Sequence, residues 1–263
     1  MNFNYHTHTF RCGHASGNDE DYVKEAIKNG LDKMGFSDHS PMPFTNGHRS
    51  GFRIQPDYVD DYFSSIFYLK EKYMGKIDIY VGVEAEYYPD LFDRLLEMLF
   101  AHGCEYMILG QHFINNEYDG LYANDEKIDD GAVCRYTEQV LAAMESGRYS
   151  YVAHPDVIRS SGKVTEKTYT KCMTEICKKA VSIDMPLEIN LLGLGTNRYY
   201  PNPLFWQIAR ECKVKGILGF DAHTPKNEGN PELRKAGEDF ASRFGIPLVD
   251  EFIPVNPFTK DTK

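Results

Sequence analysis

Histidines and carboxylates, by type and spacing, are the residues of this sequence most able to do chemistry. The chain has nine histidines. Seven fall at the ends of expected strands or just beyond them, in the contexts HTH (6–8), CGH (12–14), SDH (37–39), GQH (110–112), AHP (153–155) and DAH (221–223). Glu84 in GVEAE and Asp221 in GFDAH follow the same pattern. On a strand, residues i and i+2 share a face, so His6 and His8 present two imidazoles to one point. Asp221 and His223 repeat that spacing. Asp38, next to His39, is expected to orient a ligand or carry a proton. A single strand-end histidine is ordinarily a hydrogen-bonded structural residue, and His102, at a helix tail, is read that way. The other seven share one structural position, and that points to metal binding. A catalytic zinc takes about three protein ligands. The candidates are His6, His8, His14, His39, Glu84, His112, His154, Asp221 and His223, too many for one ion. Two or three ions with Glu84 bridging a pair would use them all. The mixed imidazole and carboxylate set suits Zn, Fe or Mn and does not choose between them.

Such scattered residues meet only if the fold gathers them. Strands are expected over 4–8, 33–38, 77–84, 106–112, 149–154, 187–192, 216–221 and 246–250. Helices are expected over 19–29, 56–73, 90–101, 132–146, 166–182, 203–212 and 232–244. This strand–helix rhythm, repeated about seven times, calls for parallel strands with crossover helices. It favours an α/β fold closed into a barrel, formed by residues 1–263 as one domain of ordinary barrel length. In such a barrel the C-terminal strand ends converge on one mouth, so the histidines would converge there too.

The net charge of −10 argues against a large polyanion such as duplex DNA as partner. A small phosphate ester is compatible with it, because bound metal supplies local positive charge. The six cysteines (Cys12, Cys104, Cys134, Cys172, Cys177 and Cys212) include no C-x-x-C pair and read as reduced thiols of a cytoplasmic protein. No signal peptide and no apolar run of about 18 residues is expected to engage a membrane. The eighteen tyrosines are compatible with a homo-oligomer. Residues 40–55 form a long loop after His39 that carries His48, Arg49 and Arg53, and long loops of this kind often cover a site.

HTH, CGHASG, GFSDHSP, GVEAEYYP, LGQHF, AHPD and GFDAHTP, in this order from residue 6 to 225, resemble the PHP (polymerase and histidinol phosphatase) superfamily. Within it the chain is similar to the monofunctional histidinol-phosphate phosphatases of histidine biosynthesis. The resemblance implies a distorted (β/α)7, TIM-like barrel of PHP type holding three divalent ions. One ion would take His6, His8, Glu84 and Asp221. A second would share Glu84 and add His112 and His154, and a third would take His14, His39 and His223. Some members carry Asp where His14 stands. The implied activity is hydrolysis of L-histidinol phosphate to L-histidinol and phosphate by a metal-bridging hydroxide, a phosphoric monoester hydrolase reaction.

Arg159 and Arg198, in loops after strands, are expected to clamp the phosphate as guanidinium does, alongside Asp38 in the catalytic set. For the rest of the substrate, Glu117 with Asp119 behind it is the expected partner of the amine. Phe113 would pack on the imidazole ring, and His48 is a further contact. The alternatives are a PHP-type phosphodiesterase or exonuclease, which needs a basic track with aromatic platforms, a phosphotyrosine phosphatase, which needs an open mouth, and a metal-binding protein without catalysis.

Overall fold

Strand C-terminal ends aim the histidines, and the strands are short. A computed structural model describes residues 2–259. Strands β1 (Phe3–Asn4), β2 (Lys33–Phe36), β3 (Asp78–Ala85) and β4 (Tyr106–Leu109) pair in that order, all parallel. The crossovers between them are α1 (Asp19–Lys28), α2 (Val59–Lys72) and α3 (Pro89–Ala101). An antiparallel hairpin, β5 (Phe113–Ile114) with β6 (Leu121–Tyr122), follows β4 and leads into α4 (Asp130–Glu145). Val152 then bridges Leu109 on one side and Leu187 on the other, both in parallel. Helix α5 (Glu166–Ser182) leads to β7 (Leu187–Asn190), which pairs with β8 (Gly216–Gly219) across α6 (Leu191–Gly195) and α7 (Pro203–Cys212). Helix α8 (Pro231–Phe244) is the last. Beyond the ends of β1 and β8, Thr7 bridges Ala222. The result is an α/β fold with a curled parallel sheet.

Two apolar layers hold it. Alternation along each strand sends Tyr5, Tyr106, Ile108, Tyr151 and Ile217 into a cluster enclosed by the sheet. It sends Met107, Leu109, Val152 and Leu187 outward, against the buried stripes of the helices. The helices start where the chain supplies caps. The side chains of Asp129, Thr165 and Asn202 accept backbone N–H groups at the starts of α4, α5 and α7. Proline occupies the first turn of α3, α7 and α8, where its missing N–H is harmless.

The expected strands are present but end early, each for a local reason. The run 4–8 is paired only at Phe3–Asn4, because the Asn4 side chain accepts the N–H groups of His6 and Phe220, each at 3.1 Å. The stretch 149–154 is reduced to the bridge at Val152, since His154 turns into the left-handed region at φ 29°. The strand at 187–192 stops at Asn190, whose side chain accepts the Gly193 N–H at 2.8 Å and starts a helix instead. Residues 56–58 form a 3-10 turn ahead of α2, and 246–250 contributes one bridge, Leu248 to Gly216. Among the described residues no helix is long and apolar enough to cross a membrane.

A buried carboxylate at the seam between β1 and α8 makes stability depend on pH. Glu228 is fully buried, and it accepts hydrogen bonds from Asn4 Nδ2 and Thr7 Oγ1, each at 2.8 Å. Burial nevertheless raises its pKa from 4.5 to about 7. The folded chain therefore keeps a proton that the unfolded chain has released, and stability falls as pH rises from about 4.5 to about 7. The shift corresponds to about 3 kcal/mol at 1.36 kcal/mol per unit. Glu228→Gln is expected to remove this part of the slope and to be more stable than the wild type above pH ~7. Urea denaturation of both metal-free proteins across that range checks it, and parallel pH profiles would contradict it.

Candidate active site

The site is built around one side chain, Glu84, near the end of β3. It is 1% exposed and fully enclosed by imidazoles. His154 Nε2 lies 2.7 Å from its Oε1, and His6 Nε2 and His112 Nε2 lie 3.7 Å from the same oxygen. On Oε2, His39 Nδ1 stands at 2.8 Å and His8 Nε2 at 3.6 Å. The backbone makes room for this. A Cβ on Gly110 would overlap the Glu84 carboxylate, so only glycine allows the next strand's end to pass so close.

Asp221 forms the second focus. Its Oδ1 is 3.0 Å from His8 Nε2, 3.5 Å from His6 Nε2 and 3.3 Å from His223 Nδ1. Its Oδ2 is occupied by Asn190 Nδ2 at 3.1 Å. A third group gathers at the rim. The rings of His14 and His223 lie 4.7 Å apart, and His14 and His39 5.3 Å apart. Asp221 and His154 both sit at positive φ, 48° and 29°. This is uncommon backbone for residues with a Cβ, and at these two positions it aims a donor inward.

Three of the histidines are held from behind by carboxylates. His6 Nδ1 lies 2.8 Å from Glu188, His8 Nδ1 3.2 Å from Asp38, and His112 Nδ1 3.2 Å from Glu86. A carboxylate oxygen accepts, so Nδ1 of His6 and of His8 is the donor and their Nε2 atoms present lone pairs to the centre, while Glu86 accepts the His112 backbone N–H at 2.7 Å. His6 Nε2, His8 Nε2, His39 Nδ1, Glu84 Oε2 and Asp221 Oδ1 are all buried with no hydrogen-bond partner. Buried polar atoms are almost always satisfied. So many lone pairs converging without partners fit divalent cations, and nitrogen with carboxylate oxygen is the donor set that zinc, iron or manganese takes.

Electrostatics agree. Burial opposes charge on Glu84, yet His39, His112 and His6 hold it well below the usual carboxylate range. Asp221 is held low against burial by His6 and His223. Burial also opposes charge on His6, but Glu188, Asp221 and Glu84 outweigh it and raise its pKa to about 10. Without metal, protons take the place of cations, so metal and proton compete for this cluster.

A cleft of about 550 Å³ opens over these groups, within the range of small-ligand sites. Its floor is His39, Glu84, His112, His154, Asp221 and His223, and Arg198 stands on its wall. Arg198 donates to the Tyr200 hydroxyl at 2.8 Å. The wall also carries aromatic rings, with Phe52 and Phe113 stacked at 5.9 Å and Tyr122 beside Phe113.

All nine expected metal ligands are thus brought together. Phe113 and Arg198 also stand where the sequence reading puts them. Five other expected residues do not line the cleft. Arg159 is absent from the cleft wall, because its Nη1 is anchored on the Asn124 carbonyl at 3.3 Å. Asp38 is fully buried, its oxygens taken by His8, Thr9 and the His39 N–H, so it stands where it orients a ligand, one of its two expected roles, and does not reach the cleft to carry a proton. Glu117 faces away from the cleft, bound by Arg53 Nε at 2.7 Å and His48 Nε2 at 3.1 Å. That pairing occupies His48 as well, and Asp119 is exposed and bound by Asn116.

The sequence reading missed Phe52, Tyr122 and Tyr200 on the wall, the backing carboxylates Glu86 and Glu188, and Cys12. The Cys12 thiol comes within 4.8 Å of donor nitrogens of His14 and His223. Glu188 had a visible signal, an acidic residue inside the apolar run PLEINLLG.

Comparison with known proteins agrees with this geometry. A relative from Deinococcus radiodurans named "Probable histidinol-phosphatase" is 26% identical, with 85% of this chain and 87% of that protein covered. One of the same name from Schizosaccharomyces pombe is 28% identical over 95% of this chain and 90% of its own length. Among solved structures, a histidinol phosphate phosphatase from Lactococcus lactis, complexed with Zn, L-histidinol and phosphate, superposes with a TM-score of 0.70. It covers 95% of this chain and 96% of its own, at 18% identity. The family model for the PHP domain matches residues 4–191, a span that takes in the Glu84 focus and six of the seven clustered histidines. With that match over most of its length, the chain belongs to the PHP domain family.

Proposed function

We propose that the chain is a metal-dependent phosphomonoesterase that hydrolyses L-histidinol phosphate to L-histidinol and phosphate in cytoplasmic histidine biosynthesis. The observation that carries this is the set of buried, partnerless donors converging on Glu84 and Asp221 beneath a cleft lined by an arginine and aromatic rings. The names of the relatives support the substrate, and the L. lactis complex is of a protein that binds that alcohol together with phosphate and zinc. The frame we infer is one domain, a closed and distorted (β/α)7 barrel, supported by the Thr7–Ala222 bridge between its first and last strands.

Three divalent ions, Zn, Mn or Fe, are the proposed cofactors. His6, His8, Glu84 and Asp221 would hold one. Glu84, His112 and His154 would hold the second, and His14, His39 and His223 the third. When bound, they supply Lewis-acid charge and a water acidic enough to act as nucleophile at neutral pH. The chain does the rest. Glu188 and Asp38 keep the Nδ1 protons of His6 and His8 in place, and Glu86 holds the His112 backbone N–H with its carboxylate 3.2 Å from the ring nitrogen. Arg198 is free on its cleft side to pair with phosphoryl oxygens. Phe52 and Phe113 offer flat apolar faces to an imidazole and exclude water from the floor.

The reading is tested by dialysis against a chelator. Phosphate release from L-histidinol phosphate should vanish in the metal-free protein and return on adding Zn or Mn. Full activity in protein shown by elemental analysis to be metal-free would overturn it.

A further inference from the structure

Of the three carboxylates that back metal-facing histidines, Glu86 is held differently from the other two. Asp38 and Glu188 are bound by neutral partners, a threonine and an asparagine side chain. Glu86 is bound by Arg53, whose Nη2 donates to Oε2, the same oxygen that accepts the Tyr88 hydroxyl. Its other oxygen accepts the His112 N–H at 2.7 Å and lies 3.2 Å from His112 Nδ1. Arg53 belongs to the loop 40–55, yet its side chain is only 1% exposed. The same guanidinium donates from Nε to Glu117 on the β5–β6 hairpin at 2.7 Å, and it packs 4.5 Å from the ring of Phe52.

We infer that Arg53 is a positioning residue of the metal centre: it fixes Glu86, and through Glu86 the ring of His112, while locking the loop and the hairpin that form the aromatic wall. The inference rests on the metal-site reading above. The chemistry is that of a carboxylate–histidine–metal triad extended by one cation. A carboxylate shared with a buried guanidinium gives less charge to the imidazole than Asp38 or Glu188 does. His112 is therefore the weakest electron donor of the three, and any ion it holds is the most Lewis acidic. The planar fork of arginine is needed, because one group must reach Glu86 and Glu117 at once. Lysine, a single point charge, cannot do both.

The test uses the full-length metal-free protein and Co2+ alone, read by its visible absorption in competition with a chelator. The Co2+ titration, which decides the inference, uses no substrate, so a wrong substrate assignment cannot disturb it. Arg53→Lys should lower Co2+ affinity at one position by about 10–100-fold, change the absorption band of that ion, and lower kcat with it. Because lysine at this buried site can misfold the protein, the charge-neutral double variant Arg53→Met with Glu117→Gln, which leaves Glu86 in place, is made alongside, and the same change is expected. Glu117→Gln cuts only the arm to the hairpin. It should leave the Co2+ titration unchanged and raise KM. If either Arg53 variant folds and binds Co2+ with wild-type affinity and spectrum, even with a lowered Tm, Arg53 is a structural latch only and the inference is overturned.

Discussion

Glu84→Gln is expected to abolish phosphate release and to empty the two metal positions that share Glu84, while the protein stays folded. The amide has the same shape but carries no charge and presents one acceptor where the carboxylate presents two. Five imidazoles face that carboxylate within 3.7 Å. Neither Oε1 nor Oε2 has a substitute, since Asp221 is the only other carboxylate lining the cleft among the described residues. Divalent ions contribute several kcal/mol to a hydrolytic transition state. At 1.36 kcal/mol per tenfold, their loss corresponds to about a thousandfold or more in kcat/KM. Metal analysis and steady-state kinetics on one preparation check this. A folded Glu84→Gln protein with full metal content and wild-type rate would contradict the role given to Glu84.

Arg198→Ala should separate binding of phosphate from binding of metal. Arg198 stands on the cleft wall and donates to the neutral Tyr200 hydroxyl, with no carboxylate ion pair among the described residues. Charge-assisted bonds from a guanidinium to phosphate are among the stronger polar contacts. Removing one preorganised donor typically costs on the order of 100-fold in rate. The expected result is a fall of about that size in kcat/KM, weaker inhibition by inorganic phosphate, and unchanged metal content. Arg198→Lys should recover part of it, since a point charge replaces the fork. Loss of metal in Arg198→Ala would mean that the residue supports the centre itself and does not simply contact the phosphate.

The site was more legible in the sequence than the residues around it, for a physical reason. Metal donors at strand ends are tied to short motifs, because two-residue periodicity and tight turns fix where HTH or DAH can point. All nine candidate ligands could therefore be picked out from local spacing, and the structure gathers them in one place. Arg159 and Glu117 could not be placed this way. Each lies on a loop whose direction is set by tertiary partners: the Asn124 carbonyl for Arg159, and Arg53 with His48 for Glu117. Phe52 and Tyr122 were invisible for the same reason, because the wall exists only once the loop 40–55 meets the hairpin at 113–122. The hairpin itself escaped notice because its strands are two residues each, too short for any alternation. In the fold, the order of strands and helices followed from the apolar rhythm. The early strand ends did not, since they depend on side chains such as Asn4 and Asn190 bonding to the backbone in place of the sheet.

The most direct measurement is phosphate release by the metal-loaded protein from L-histidinol phosphate, set against other phosphomonoesters, phosphotyrosine and a phosphodiester. Fast, chelator-sensitive release with a clear preference for L-histidinol phosphate is the predicted result. Hydrolysis of the other esters with L-histidinol phosphate left untouched would contradict the proposed substrate, and bound metal with no hydrolysis of any ester would contradict the account of the site as catalytic.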